Sequence, residues 1–426
     1  MSPRTILVGP LSPVHDALAA AALRGAGLTA QAVHPPTDLG LARARAHGNH
    51  GQCNPPHYAV GAVLEHARAS GLPAKDFAER HAWLTLGSCG PCRLAAFPVE
   101  WQQILGGAGL GGLAMEPVDQ QGFIEGLAGG ARKRGLGNAL VNSLIAADAL
   151  ETLGHRLRPR VQDPAALERE LGQATARLVT TIEEGHGTLK ALRETARHVR
   201  GLELARDRVL PRVLLVGEPW TTLTRGAPSY DVARRLELSG ALVKPPKAID
   251  WLRYLAWQQG RSPRASDEAR SSAARASLRL ALLWASFSRA AGLDEPLEDL
   301  DRLAALASRW YPPEVLGGSS HLELGRALAA AEDRTAHLVL SLKPFGCLPS
   351  SALSDGVLGP LLAQMPGAPA FLALETTGDA HATVDSRLEM ALQAASLRAL
   401  DEQETGRALP ASGCRQWDRL ERPLVD

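Results

Sequence analysis

The sequence predicts an α/β fold of two Rossmann-like lobes, with a helical connector between them and a helical insertion in the second lobe. Three observations carry that prediction. Short β-rich apolar runs alternate with amphipathic helix patterns near the start of the chain, which favours a parallel sheet with helices on both faces. A long stretch from about Asn138 to Arg200 holds helix patterns alone. Strand–helix alternation then resumes near Arg212 and is interrupted by a second helical stretch.

Thr5–Val8 is the first strand, and Ala17–Gly25 is an Ala/Leu helix with Gly25 and Gly27 near its stop. Leu28–His34 is a second strand, ended by Pro35-Pro36. Tyr58–Ser70 places Val60, Val63, Leu64 and Ala67 on one helix face. Trp83–Leu86 is a third strand, and Trp101–Leu105 begins another helix. In the connector, Leu157-Arg158-Pro159-Arg160 separates two long charged helices. The second lobe opens with the buried strand Val213–Val216, ended by Gly217. Helix Asp231–Leu238 stops at Gly240, and Ala241–Val243 is the next strand. Ala248 to about Leu306 is helical throughout. His337–Leu342 and Ala370–Leu374 are strands, and Val384–Leu397 is a helix. The expected division is 1–130 for the N-terminal lobe, 131–208 for the connector and 209–405 for the second lobe. The insertion covers about 248–334, and 406–426 is a tail.

Hydrophobic residues at 45% and charged residues at 21% match an ordinary globular chain. A net charge of +1 argues against nucleic acid or an anionic membrane as the main partner. No apolar run reaches the roughly 18 residues of a membrane helix. Met1-Ser2-Pro3-Arg4 leads directly into a strand rather than a leader, so a cytoplasmic location is expected. A reducing cytosol disfavours disulfides, and the five cysteines need another explanation.

Four of them lie in Gly/Pro-rich loops at element ends. Cys53 precedes a helix in Gly48-Asn49-His50-Gly51-Gln52-Cys53-Asn54-Pro55-Pro56. Cys89 and Cys92 follow a strand in Gly87-Ser88-Cys89-Gly90-Pro91-Cys92-Arg93. Cys347 follows another in Phe345-Gly346-Cys347-Leu348-Pro349. Parallel α/β sheets place ligand sites at such ends. A free Cys is also often a small buried hydrophobe, and Cys414 in the patternless tail fits that description. Three chemistries suit the other four: a Cys89–Cys92 redox dithiol, a zinc site completed by His47, His50 or His57, or an iron–sulfur site. Spacing does not choose among them.

At these residues the chain resembles the 2-hydroxyacyl-CoA dehydratase-like proteins, in the branch that includes double-cubane cluster proteins, without the fused actin-like ATPase domain. The resemblance rests on Cys53-Asn54-Pro55 with Gly61, Gly90-Pro91-Cys92-Arg93, Gly217-Glu218, Phe345-Gly346-Cys347-Leu348-Pro349 and Arg387-Leu388-Glu389. It spans roughly Thr5 to Ala395. It implies a 4Fe–4S cluster, with a double-cubane cluster as a variant, held by Cys53, Cys92 and Cys347. Cys89 is a fourth-ligand candidate. Glu218 and Arg93 are the expected catalytic residues, Glu218 with a turn cap as its alternative, and Arg93 to offset cluster charge or bind an anionic substrate, with a surface ion pair as its alternative. It also implies an ATP-hydrolysing activator protein as electron donor, a homo- or heterodimer, and dehydration or reduction of small substrates such as acyl-CoA. Relatives continue Gly-Pro-Cys-Arg with Phe-Gly-Gln-Tyr, where this chain has Leu94-Ala95-Ala96-Phe97, a departure that favours a non-catalytic cluster or zinc protein.

Gly107-Ala108-Gly109-Leu110-Gly111-Gly112 fits the dinucleotide fingerprint, but it follows a helix rather than a strand. No phosphate-binding Gly-x-x-x-x-Gly-Lys-Ser/Thr loop occurs.

Overall fold

The computed structural model describes residues 4–87, 92–118, 134–205, 209–315, 318–378 and 381–405. It is an α/β protein with two separate parallel sheets joined by helices, as the sequence predicts. In the first sheet, β1 (Thr5–Val8), β2 (Ala30–Ala32), β3 (His81–Leu86) and β4 (Ala114–Val118) run in the order β2-β1-β3-β4. In the second, β5 (Arg212–Gly217), β6 (Leu242–Lys244), β7 (Leu338–Pro344) and β8 (Ala370–Thr376) run in the order β6-β5-β7-β8. Each order reverses direction beside its first strand. That reversal opens a crevice beyond the carboxyl ends of β1 and β3, and of β5 and β7.

Around the first sheet lie α1 (Pro13–Gly25), α2 (Asp38–Arg45), α3 (Asn54–Ala69), α4 (Ala74–Arg80) and α5 (Phe97–Gly107). The connector holds α6 (Arg134–Leu157), α7 (Pro164–Glu183) and α8 (Thr188–Val199). The second lobe begins its helices with α9 (Pro219–Leu223) and α10 (Val232–Leu238). The insertion contributes α11 (Ala248–Arg261), α12 (Asp267–Ala290), α13 (Leu300–Ala307) and α14 (Ser320–Glu332). The chain continues through α15 (Leu348–Leu353), α16 (Gly359–Gln364) and α17 (His381–Thr405).

The largest core belongs to neither sheet. Val141, Ile145, Leu150 and Leu153 of α6 pack with Leu18 of α1, Leu167, Leu171 and Leu178 of α7, Leu192 of α8, Ile249 of α11, and Leu280 and Trp284 of α12. This helical hub ties connector and insertion to both lobes, so burial of apolar area holds the lobes together. No described helix is long and apolar enough to cross a membrane.

Several elements differ from the sequence reading: the short helices α9, α15 and α16 were not expected, and the insertion is broken between α11, α12 and α13 rather than helical throughout. The edge strand β4 (Ala-Met-Glu-Pro-Val) was not expected. It is largely half-buried or exposed, and it contains Pro117, which only an edge strand tolerates. Helices α2 and α4 were not expected either; each is short and polar. The fingerprint-like glycines form a helix stop: Gly107 ends α5, Gly109 takes φ +81°, and Leu110 N–H donates to Leu105 O (2.7 Å).

Candidate functional site

Four of the connections that leave strand ends deliver reactive side chains to the place where the two lobes meet. The sharpest is at β5. Gly217 has φ +125°, and a Cβ there would sit 1.9 Å from Leu342 O. Only glycine lets the end of β5 lie this close to β7. The next residue, Glu218, donates its N–H to Leu342 O (3.0 Å) and caps α9 with its carboxylate. That carboxylate accepts the N–H groups of Trp220 (3.0 Å) and Thr221 (2.8 Å) and the Thr221 hydroxyl (2.8 Å). Burial raises the Glu218 pKa above the ordinary carboxylate value, while these donors pull the other way.

Cys347 follows β7 in a turn whose Gly346 has φ +78°. A Cβ on Gly346 would lie 3.4 Å from the Cys53 Cα, so two backbones from different lobes meet here. Cys53 is the N-cap of α3, whose first turn takes Pro55 and Pro56 because no intrahelical bond needs their N–H. Cys92 caps a single 3₁₀ turn, Arg93–Ala96, that runs into α5. Cys53 and Cys347 are buried, Cys92 is half-buried, and all three are free thiols.

These groups share one electrostatic neighbourhood. Burial pushes the Cys53 thiol up to about 12, with further upward pressure from Glu218 and Cys92 and an opposing pull from Arg93. Burial and Glu218 push Cys347 up, with Cys53 adding to the effect. Cys92 is raised by burial and Glu218, against a backbone hydrogen bond from Leu94. At neutral pH the site therefore presents protonated thiols around an acidic side chain, with the exposed Arg93 as the nearby cation.

Arg93 also braces the site. Its Nη1 donates to Gly51 O (2.6 Å), in the loop that ends at Cys53. Glu100 of α5 holds the same loop by accepting the Asn49 N–H (2.5 Å), and Gln103 Nε2 donates to His47 O (3.3 Å). Buried His57 lies with Nε2 3.4 Å from Glu100, and burial lowers its pKa, so the ring is neutral. The segment that starts at Cys92 thus sets the position of the loop that leads to Cys53.

The iron–sulfur expectation fails at this point. Among the described residues no group of three or more His, Cys, Asp or Glu side chains could hold a metal ion. Cys53, Cys92 and Cys347 share one electrostatic neighbourhood but form no such group, so they do not fit a 4Fe–4S or double-cubane cluster. The same finding removes the zinc alternative: no group of described side chains around His47, His50 or His57 could hold a metal ion, and the ring of His47 packs against Gly107. Cys89, the expected fourth ligand, lies outside the described residues, as does Cys414. The resemblance to the 2-hydroxyacyl-CoA dehydratase-like family falls with its cluster. Its motifs have a local physical basis instead. Gly217 and Gly346 mark close backbone approaches at strand ends, and Gly61 lets α3 cross Gly40 of α2. The expected ATP-hydrolysing electron donor had the cluster as its only basis.

Sequence reasoning missed the residues that align the two lobes here. Asn54, Arg45, Asp38 and Tyr58 from the first lobe meet Thr376, Thr377, Gly378 and His381 from the second. The one available signal was the place of Asn54 directly after Cys53. No protein-family model and no curated protein matches this chain.

Proposed function

We propose that the interlobe cleft is an active site for a small anionic molecule, in which Arg93 takes the anion and Glu218 exchanges a proton with it. The thiols of Cys53, Cys92 and Cys347 line the site. The observation that supports this is the delivery of Glu218 and the three cysteines, from separate connections at the sheet ends of two lobes, into one electrostatic neighbourhood. Open α/β sheets bind ligands beyond their strand carboxyl ends, at the point where the strand order reverses. A half-buried carboxyl whose pKa is raised above the ordinary carboxylate value suits proton transfer. Arg93 keeps a fork of N–H donors beyond the one given to Gly51. The division into 1–130, 131–208, 209–405 and 406–426 carries over into this proposal, with the site between the first and third segments. Three free thiols support a reducing, cytoplasmic setting.

The test compares two alkylating reagents of similar size, anionic iodoacetate and neutral iodoacetamide. Both alkylate a thiolate and release iodide, so the ratio of their rates at one cysteine cancels that thiol's ionisation. Peptide mapping reads the ratio at half-buried Cys92. The wild-type ratio should exceed that of Arg93→Gln by about threefold, the scale of one nearby charge in partly screened surroundings. Glu218→Gln should raise the ratio by removing a like charge. Equal ratios in wild type and Arg93→Gln would sink the proposal.

A further inference from the structure

The site is split between two lobes, so its geometry depends on how they are aligned. Asn54, the residue after Cys53, is buried. Its Nδ2 donates to Thr376 O at the end of β8, while its Oδ1 accepts Arg45 Nη2 (2.8 Å). Arg45 Nη2 also donates to Thr377 O (3.0 Å). The first lobe thus grips two successive carbonyls of one turn in the second lobe. That turn is gripped from behind as well: Tyr230 Oη accepts the N–H groups of Thr377 (3.1 Å) and Gly378 (3.0 Å). Tyr230 has φ 49° and Asp231 φ 48°, two adjacent non-glycine residues in the left-handed region. Such strain persists where the surroundings over-determine it, and here it aims the Tyr230 hydroxyl at the turn. Arg225 holds Asp231 in place (2.7 Å).

We propose that Asn54 and Arg45 are positioning residues that hold Cys53 in register with Cys347 and Glu218 across the cleft, and that the Thr376–Gly378 turn, backed by Tyr230, is their receptor. This rests on the reading of the cleft as a site. The device acts through backbone carbonyls, which no side-chain change can remove, so the register depends on the two donors of the first lobe. Asn54 donates through its amide and accepts from Arg45 at once, which neither Asp nor Ala can do.

The experiment uses dibromobimane on the full chain. It alkylates two thiols in turn, each displacing bromide, and fluoresces once both have reacted. Peptide mapping identifies the Cys53–Cys347 bridge. Wild type should give this interlobe bridge. Asn54→Ala and Asn54→Asp should lower its yield about tenfold relative to single alkylation, the effect of losing one buried hydrogen bond from one side of a two-state balance. Arg45→Lys, which keeps one donor, should lower it less than Arg45→Ala. Tyr230→Phe, which leaves Asn54 and Arg45 intact, keeps the test open if an Asn54 variant does not fold, and should also lower the yield. Unchanged bridging in folded Asn54→Ala and Tyr230→Phe overturns the positioning role. The iodoacetate ratio at Cys92 is read on the same samples. A normal ratio with unchanged bridging rejects the positioning role alone, and a ratio insensitive to Arg93 rejects the site.

Discussion

In the first lobe, α1 ends with Gly27 at φ +84°, where Leu28 N–H reaches back to Leu23 O and Gly27 N–H to Arg24 O. In the second lobe, α10 ends with Gly240 at φ +88°, and Ala241 and Gly240 make the same pair of bonds to Leu236 and Glu237. Gly9 after β1 and Gly217 at the end of β5 both take positive φ, and both sheets start from their first strand and grow outward in one order. The two lobes are versions of one unit. Their buried charges are not. In the first lobe, Asp16 is buried, and Leu11 N–H reaches both its oxygens (3.0 and 2.9 Å). Burial raises its pKa to about 7, against the pull of that hydrogen bond and of His15. The second lobe buries Lys247, Asp250, Glu295, Glu298 and Arg326 as a paired network. Burial alone would raise Glu298, but Arg326, Lys244 and Lys247 carry it down to about 2. One backbone unit thus tolerates either a hydrogen-bonded acid or a neutralised ion cluster, and the choice sets the direction in which pH acts.

The strongest break in that comparison is Arg326→Met. It leaves Glu298 and Asp250 buried without their guanidinium, whose Nε and Nη2 donate to them at 2.5 and 2.8 Å. Removing one partner of a buried pair costs about 3–5 kcal/mol. Urea unfolding should show a loss of that size; a loss within error would mean the cluster reorganises freely.

Asp16→Asn sharpens the contrast. The Asp16 pKa is higher folded than unfolded, so its stabilisation is whole below about pH 4 and is lost as pH rises toward 7. Glu298 runs oppositely: its stabilisation is present above its unfolded value and is lost as pH falls toward 2. Unfolding free energy measured from pH 4 to 8 should therefore decline less in Asp16→Asn than in wild type, by at most roughly 4 kcal/mol. Equal slopes would remove Asp16 as the cause.

Gly217→Ala tests the turn that presents Glu218. Its Cβ would meet Leu342 O at 1.9 Å, so β5 and β7 must part, at a cost of about 3 kcal/mol. The smallest effect tests the likeness of the lobes. Gly27→Ala and Gly240→Ala meet open space, so each should cost only the left-handed backbone penalty of about 1 kcal/mol, and the two should agree. A marked difference in thermal unfolding would show that the matching stops carry unequal load.

The second lobe was the more legible in sequence, because β5 and β7 are buried along almost their whole length and read as continuous apolar runs. In the first lobe β4 was invisible: an edge strand needs neither apolar alternation nor a full set of donors. Among site residues, the cysteines were legible because they sit in Gly/Pro-rich loops at element ends, and Glu218 because it follows Gly217 at the end of a strand. Arg45, Glu100 and Tyr230 were not, since each sits in or beside an ordinary helix and acquires its role only from the segment folded against it.

The sequence by itself determined the α/β class, the two lobes, the helical connector and insertion, and the turns at which reactive side chains sit. Those features follow from local periodicity and from backbone conformations that only certain residues adopt. Only the tertiary structure decided that no group of described side chains could hold a metal ion, that Glu218 caps α9 with a raised pKa, and that Asn54 and Arg45 bond the turn after β8. Distances between groups far apart in sequence depend on how whole helices pack into the shared hub, and no local pattern encodes them.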